Sequence, residues 1–221
     1  MLLVILVASI ILLSVFKSAK NINNNCDVLV NMTRTNTIPL SSSQVIIVKS
    51  LGDFRAEITA CQQKGTAWQR VLTQPFPAVV GQNGVISALE KKEGDLKTPI
   101  GLYPLGDAFG TQPLAIKMDY KYITRDDKFV DDVSSGDYNT WISGRTAAKS
   151  YESMLIASYK MGLMIKYNMN PVIPGKGSAI FMHLWRSPDV PTNGCIAMDE
   201  HHLLTILHWL DKKQHPYVYI S

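Results

Sequence analysis

Beyond residue 45 the chain is written in short apolar runs broken by turn signals. That punctuation limits its fold more than any other feature. VIIV at 45–48, AEITAC at 56–61 and PAVVG at 77–81 are each too short for a stable helix and are rich in strand-forming residues. Asn83-Gly84 is a strong turn dipeptide. LMIKYN at 163–168, an apolar run at 179–185 and a last one at 218–220 extend the pattern. Helical spacing is predicted in two places only. One is 151–159, from Met154, Leu155 and Tyr159. The other follows Asp199, a good N-cap, with Leu203, Leu207 and Leu210 on one face. Many short strands and few helices predict a mainly β domain over 45–221, sandwich-like or barrel-like. The Gly- and Pro-rich segment 93–106 reads as a surface loop entering a strand at Leu102-Tyr103, and 108–137 as irregular chain that lines or covers a site.

The N-terminus is of another kind. Residues 2–16, LLVILVASIILLSVF, are an almost unbroken apolar run. Its length lies between a signal-peptide core and a comfortable membrane span. Residues 1–20 are expected to form a hydrophobic helix, either a signal peptide or an uncleaved anchor. Lys17 stands two positions before Ala19 and spoils a small-x-small cleavage site, which favours the anchor. Against export stands the placement of Lys17 and Lys20 after the run with no basic residue before it. Residues 21–44, polar and without a countable period, read as a linker. Net charge is +4, from 22 basic and 18 acidic residues. No Lys/Arg block is interleaved with aromatics, so nucleic acid is not an expected partner.

The chemistry concentrates in 177–198, GSAIFMHLWRSPDVPTNGCIAM. His183 ends an apolar strand, and Cys195 follows a loop of Pro, Asp, Asn and Gly twelve positions later. A thiol becomes a useful nucleophile only beside a base or cation, and His183 is the nearest candidate in sequence. An activated Cys195 is expected to alkylate well below pH 8. The successive amides of Gly194 and Cys195 are candidates to face a developing oxyanion. The spacing of His183, Cys195, His201 and His202 fits no familiar zinc pattern, so no metal is assigned. With three cysteines, two readings stand: Cys26 paired with Cys61 and Cys195 free, or all three reduced.

With these residues in place, the sequence resembles the L,D-transpeptidase catalytic domains (YkuD type), enzymes of bacterial peptidoglycan. The resemblance rests on 177–198, where Gly177-Ser178-Ala179-Ile180-Phe181, His183, Trp185, Thr192, Gly194-Cys195 and Ala197-Met198 match a family signature. It continues upstream, in the family's order, through Glu93-Gly94-Asp95, Lys97-Thr98-Pro99-Ile100-Gly101, Val130-Asp131-Asp132 with Ser135, Tyr138 and Asn139, and Tyr167-Asn168.

The resemblance implies Cys195 as nucleophile on a stem-peptide carbonyl, His183 as base, and backbone amides near Gly194 as the oxyanion site. It implies an amine acceptor on a second peptidoglycan stem and no cofactor. It also implies an extracytoplasmic, cell-envelope location; the apolar run at 2–16 is expected to provide export by a signal peptide or an inner-membrane tether. Hydrolysis of the same bond, or peptidoglycan binding without catalysis, are the alternatives. Asn193, Leu184 and Ala197 depart from the commoner family residues. Ala197 stands where many members carry Arg, and Arg186 is expected to replace it. Trp185, Thr192 and Asn193 are the other expected substrate contacts.

Overall fold

The computed structural model describes residues 25–221. The hydrophobic helix expected over 1–20 lies outside the described residues. No helix among those described is long and apolar enough to cross a membrane.

The linker expected over 21–44 is corrected in its described part. Residues Asp27–Arg34 form helix α1, with Asp27 in the first turn and Arg34 in the last, each complementing the helix dipole. Leu29 and Met32, one turn apart, turn toward Ile38, Val45, Ile47 and Trp68. The Trp68 indole donates to Thr33 Oγ1 at 3.0 Å. A Cys26–Cys61 disulfide ties the start of α1 to the sheet. An eight-residue helix has little stability of its own, so its order comes from this docking.

Strand β1 (Gln44–Ser50) shows why the sheet is buried on both sides. Its alternation sends Val45 and Ile47 toward α1 and Ile46 and Val48 into the main core. It pairs with β2 (Arg55–Lys64), which is followed by β3 (Ala67–Arg70) and β4 (Phe76–Val79). Strand β5 (Val85–Ser87) runs beside the start of β6 (Thr98–Gly110), and β7 (Tyr120–Tyr122) beside its end. The strand thus begins at Thr98, where the sequence suggested loop, because both flanks of β6 supply ladder partners. A separate small sheet has the order β10-β8-β9, from β8 (Asp127–Val130), β9 (Trp141–Ser143) and β10 (Tyr151–Ser153).

The chain then lays down β11 (Met161–Ile165), β12 (Phe181–Leu184), β13 (Ile196–Met198), α2 (Glu200–Trp209) and β14 (Tyr217–Ile220). Neighbours run β1-β14-β6-β11-β12-β13-β4-β2, and β2 pairs again with β1. The sheet therefore closes into a barrel without free edges along that ring. Leu203, Ile206 and Leu207 of α2 join Ile46, Ile58, Leu163, Met182 and Val218 in its core. Asp199 caps α2 as expected, its side chain accepting the His202 amide.

The helix expected over 151–159 is absent. β10 and a single helical turn, Ala157–Tyr159, occupy the stretch. Met154 is fully buried while Leu155 is 49% exposed, so the apolar residues do not share a helical face. Pairing of Glu152 with Phe129 in the small sheet overrides the local spacing.

Candidate active site

β12 and β13 run parallel, with Met182 opposite Ile196 and His183 opposite Ala197. Extending that register by one residue puts Cys195 opposite Phe181, two positions before His183. A two-residue offset keeps both side chains on one face of the sheet. The loop over 185–195 makes this possible by returning the chain to the same end of the sheet. Cys195 and His183 are each only 8% exposed, and both line one cavity of about 710 Å³. Gly194, Trp185, Arg186, Thr192 and Asn193 line it as well, so the residues expected to react or to contact substrate meet in one place. His201 and His202 do not line it. They lie on the first turn of α2, where His202 stacks on Phe76 with ring centroids 4.3 Å apart.

The loop bearing Cys195 is clamped from beneath. Thr98 is fully buried, accepts the Gly81 amide at 2.9 Å and donates to the Gly194 carbonyl at 2.8 Å. Gly194 has φ +139°, and a Cβ there would stand 3.0 Å from the Lys97 carbonyl oxygen, so the close approach requires glycine. The Gly194 amide donates to Thr192 Oγ1 at 3.1 Å, so it is not free for an oxyanion, whereas the Cys195 amide has no partner among the described residues. The Thr192 hydroxyl in turn donates to the Cys195 carbonyl at 2.6 Å. It is committed to holding the loop.

The imidazole is set by its own strand. His183 Nδ1 lies 2.9 Å from the Leu184 carbonyl oxygen, which can only accept, so Nδ1 carries the proton and Nε2 keeps its lone pair. Burial holds the imidazole pKa down to about 4, against the opposing pull of the Leu184 carbonyl, with Arg186 lowering it further. Burial also pushes the Cys195 thiol up to about 12, reinforced by Glu152, while the Phe181 amide, Lys91 and Tyr159 act against it. The resting pair is therefore a neutral thiol and a neutral imidazole. Desolvation outweighs the nearby donors and cation at the thiol.

Residues of the upstream motifs prove to be the frame around this pair. Asp95 accepts Lys91 Nζ at 2.7 Å and the amides of Lys92 and Lys97, both at 2.9 Å. Glu93 accepts the Tyr138 hydroxyl and, at 2.7 Å, the Ser178 hydroxyl. Asn139 accepts the Ala179 amide at 3.1 Å and donates to the Asn168 carbonyl at 2.7 Å. Glu152 and Tyr159 are among the wall residues missed from the sequence, because 151–159 was expected to be a helix.

Residues 53–220 match the family model of the L,D-transpeptidase catalytic domain, YkuD, a family that acts on peptidoglycan. No curated protein and no solved structure matches the chain. A model match running from β2 through β14, and so taking in both the buried thiol and the imidazole, places this chain in the YkuD family of L,D-transpeptidase catalytic domains.

Proposed function

We propose that this protein is a peptidoglycan L,D-transpeptidase working through a thioester on Cys195. The observation that carries the reading is the placement of its single free thiol and a base-competent imidazole on one face of adjacent strands, inside one cavity. The cavity volume falls within the range of small-molecule and peptide-end sites.

As a donor carbonyl approaches, the Cys195 proton passes to His183 Nε2 and the sulfur bonds to the carbonyl carbon. The Cys195 amide is the donor left to meet the oxyanion. Collapse breaks the C–N bond, and the imidazolium proton leaves on the departing amine of the terminal D-amino acid. An acceptor amine then gives a proton to Nε2 and attacks the thioester, and the sulfur departs and recovers its proton. Splitting one amide exchange into two easier acyl transfers is the advantage of the covalent route. Arg186, exposed at the cavity rim, is the substrate-carboxylate contact in this scheme, with Trp185 and Asn193 beside it.

The Cys26–Cys61 disulfide supports an oxidising, extracytoplasmic compartment. Together with the apolar run at 2–16 it favours an envelope enzyme held at the inner membrane. The test is incubation with purified muropeptides and mass analysis of the products. Cross-linked dimers support transfer. Trimmed tripeptides mean that water is the acceptor, and unchanged substrate refutes catalysis on this bond.

A further inference from the structure

Lys91, Glu93 and Ser178 line the same cavity as Cys195 and His183 but have no part in the thioester chemistry. Lys91 is 3% exposed. Its Nζ donates to Asp95 Oδ1 at 2.7 Å and to the Lys92 carbonyl at 2.9 Å, so two of its three N–H donors are engaged. It lies against Gly177, where a Cβ would stand 3.2 Å from Nζ. The Gly177 amide donates to the Tyr138 hydroxyl at 3.0 Å, and that hydroxyl donates on to Glu93 Oε2. Ser178 donates to the same oxygen at 2.7 Å. Glu93 Oε1 receives only the amide of adjacent Gly94, at 3.3 Å. Among the described residues no ion pair joins Glu93 to Lys91, so an anion and a cation share one wall more than 4.0 Å apart.

A wall that holds opposite charges apart suits a ligand that carries both. The two groups are already fixed by hydrogen bonds, so meeting such a ligand costs little rearrangement, and charge-assisted bonds are the stronger kind. Asp95 does not exhaust Lys91, because its oxygens are divided between that ammonium and the amides of Lys92 and Lys97. Resting on the proposed role of Cys195, we infer that Lys91 and Glu93 form a subsite for an amino-acid head at the end of a donor side chain. The head's carboxylate accepts from Lys91 Nζ, and its ammonium donates to Glu93 Oε1. No covalent bond changes in this recognition.

The head belongs to the donor and not to the incoming amine. An amine held as ammonium on a carboxylate has no lone pair with which to attack a thioester, so a group bound this way orients and does not react. The subsite is also tied to the thiol through consecutive residues. Ser178 holds Glu93, and the carbonyl of Ala179 next to it accepts the Cys195 S–H at 3.1 Å. A donor gripped there has its own carbonyl placed relative to the sulfur. Arg186, on the 185–195 loop, remains for a second carboxylate. Asp131, just after β8, and Glu152, in β10, are the cavity's other carboxylates, but only Glu93 shares its loop with Lys91.

The test reads binding by titration calorimetry on the full chain carrying Cys195→Ala, so it does not depend on turnover. The probes are three stem tetrapeptides whose third residue is diaminopimelate, with its distal head free, N-acetylated or carboxamidated. The free head is expected to bind about tenfold more tightly than either blocked form. Glu93→Gln keeps a carbonyl for Tyr138 and Ser178, and it erases the penalty of acetylation alone. Lys91→Met erases the penalty of amidation alone. Residues that merely hold the wall together would weaken all three probes alike when replaced, and that result overturns the inference. So does equal binding, or none, before either wall residue is changed. If Lys91→Met fails to fold, Glu93→Gln decides. Loss of the acetylation penalty in Glu152→Gln or Asp131→Asn instead puts the ammonium on the small sheet and also overturns it. Free D-alanine carries the same head without a stem: weaker binding than the tetrapeptide supports a donor side chain, and equal binding refutes it. Failure of the wider reading shows separately, because unchanged muropeptides with Cys195 in place refute transpeptidation and leave these binding ratios standing.

Discussion

The Cys195 thiol donates to the carbonyl of Ala179 at 3.1 Å, and Ala179 itself is held at φ +53°, a left-handed conformation that a non-glycine residue adopts only under constraint. The constraint is visible. Asn139, 2% exposed, accepts the Ala179 amide and donates to the carbonyls of Tyr167 and Asn168. The position of the Cys195 thiol is thus set by a side chain forty residues away from the carbonyl it controls.

Asn139→Ala leaves these buried groups unpaired and is expected to destabilise the fold by about 1–3 kcal/mol. Because Ala179 is then free to relax, the thiol loses its fixed acceptor. Urea denaturation gives the stability. Turnover that remains at wild-type level in the folded variant would show that Ala179 does not orient the sulfur.

Removal of the reacting groups has the plainest outcome. Cys195→Ala abolishes product. His183→Ala lowers turnover by about 10²–10⁴-fold, the usual worth of a positioned general base. Mass-resolved product formation from muropeptides checks both, and a fully active variant of either refutes the assignment.

The clamp under the loop predicts a different pattern. Thr98→Val deletes the hydroxyl that joins Gly81 to Gly194, at a cost of about 1–3 kcal/mol. Gly194→Ala forces a Cβ against the Lys97 carbonyl at an unfavourable φ, with a strain of about 1–3 kcal/mol. Both are expected to lower kcat through displacement of Cys195, and calorimetry alongside kinetics separates that loss from unfolding.

The buried imidazole links pH to both stability and rate. Its pKa is lowered on folding from 6.5 to about 4, so between those values the unfolded chain binds more protons than the native one. His183 therefore contributes stability that is complete above pH 6.5 and is lost as pH falls through about 4. The acid limb of kcat/KM is expected near pH 4, where the base becomes protonated, and not near 6.5. In His183→Gln the stability decline between pH 6.5 and 4 is shallower, as equilibrium denaturation at stepped pH would reveal.

Reduction of Cys26–Cys61 removes the tie between α1 and the sheet. A cross-link across 35 residues of chain is worth about 2–4 kcal/mol. The Cys26→Ser/Cys61→Ser variant is expected to melt lower by a corresponding amount. An identical melting curve would mean that packing of Leu29 and Met32 alone orders the N-terminal segment.

Much of this protein was determined by local sequence. Short continuous apolar runs such as 45–48, cut off by Asn-Gly, Pro and Gly, leave strands as the way to bury both faces. Asp199 followed by spaced leucines specifies α2 through its cap and stripe. The pairing of chemical types, a thiol after Gly194 and an imidazole at the end of an apolar run, is likewise written along the chain.

Tertiary structure decided what depends on distant partners. Residues 151–153 became a strand because β8 offered them a ladder, bringing Glu152 and Tyr159 to a wall that their spacing assigned to a helix. The segment 27–34 became a docked helix because Cys61, Trp68 and β1 stood ready to receive it. The ionisation of Cys195 and His183 was decided in the same way. Whether a thiol and an imidazole rest charged or neutral depends on how much water surrounding strands exclude, and that is a property of the closed barrel, not of the residues in it.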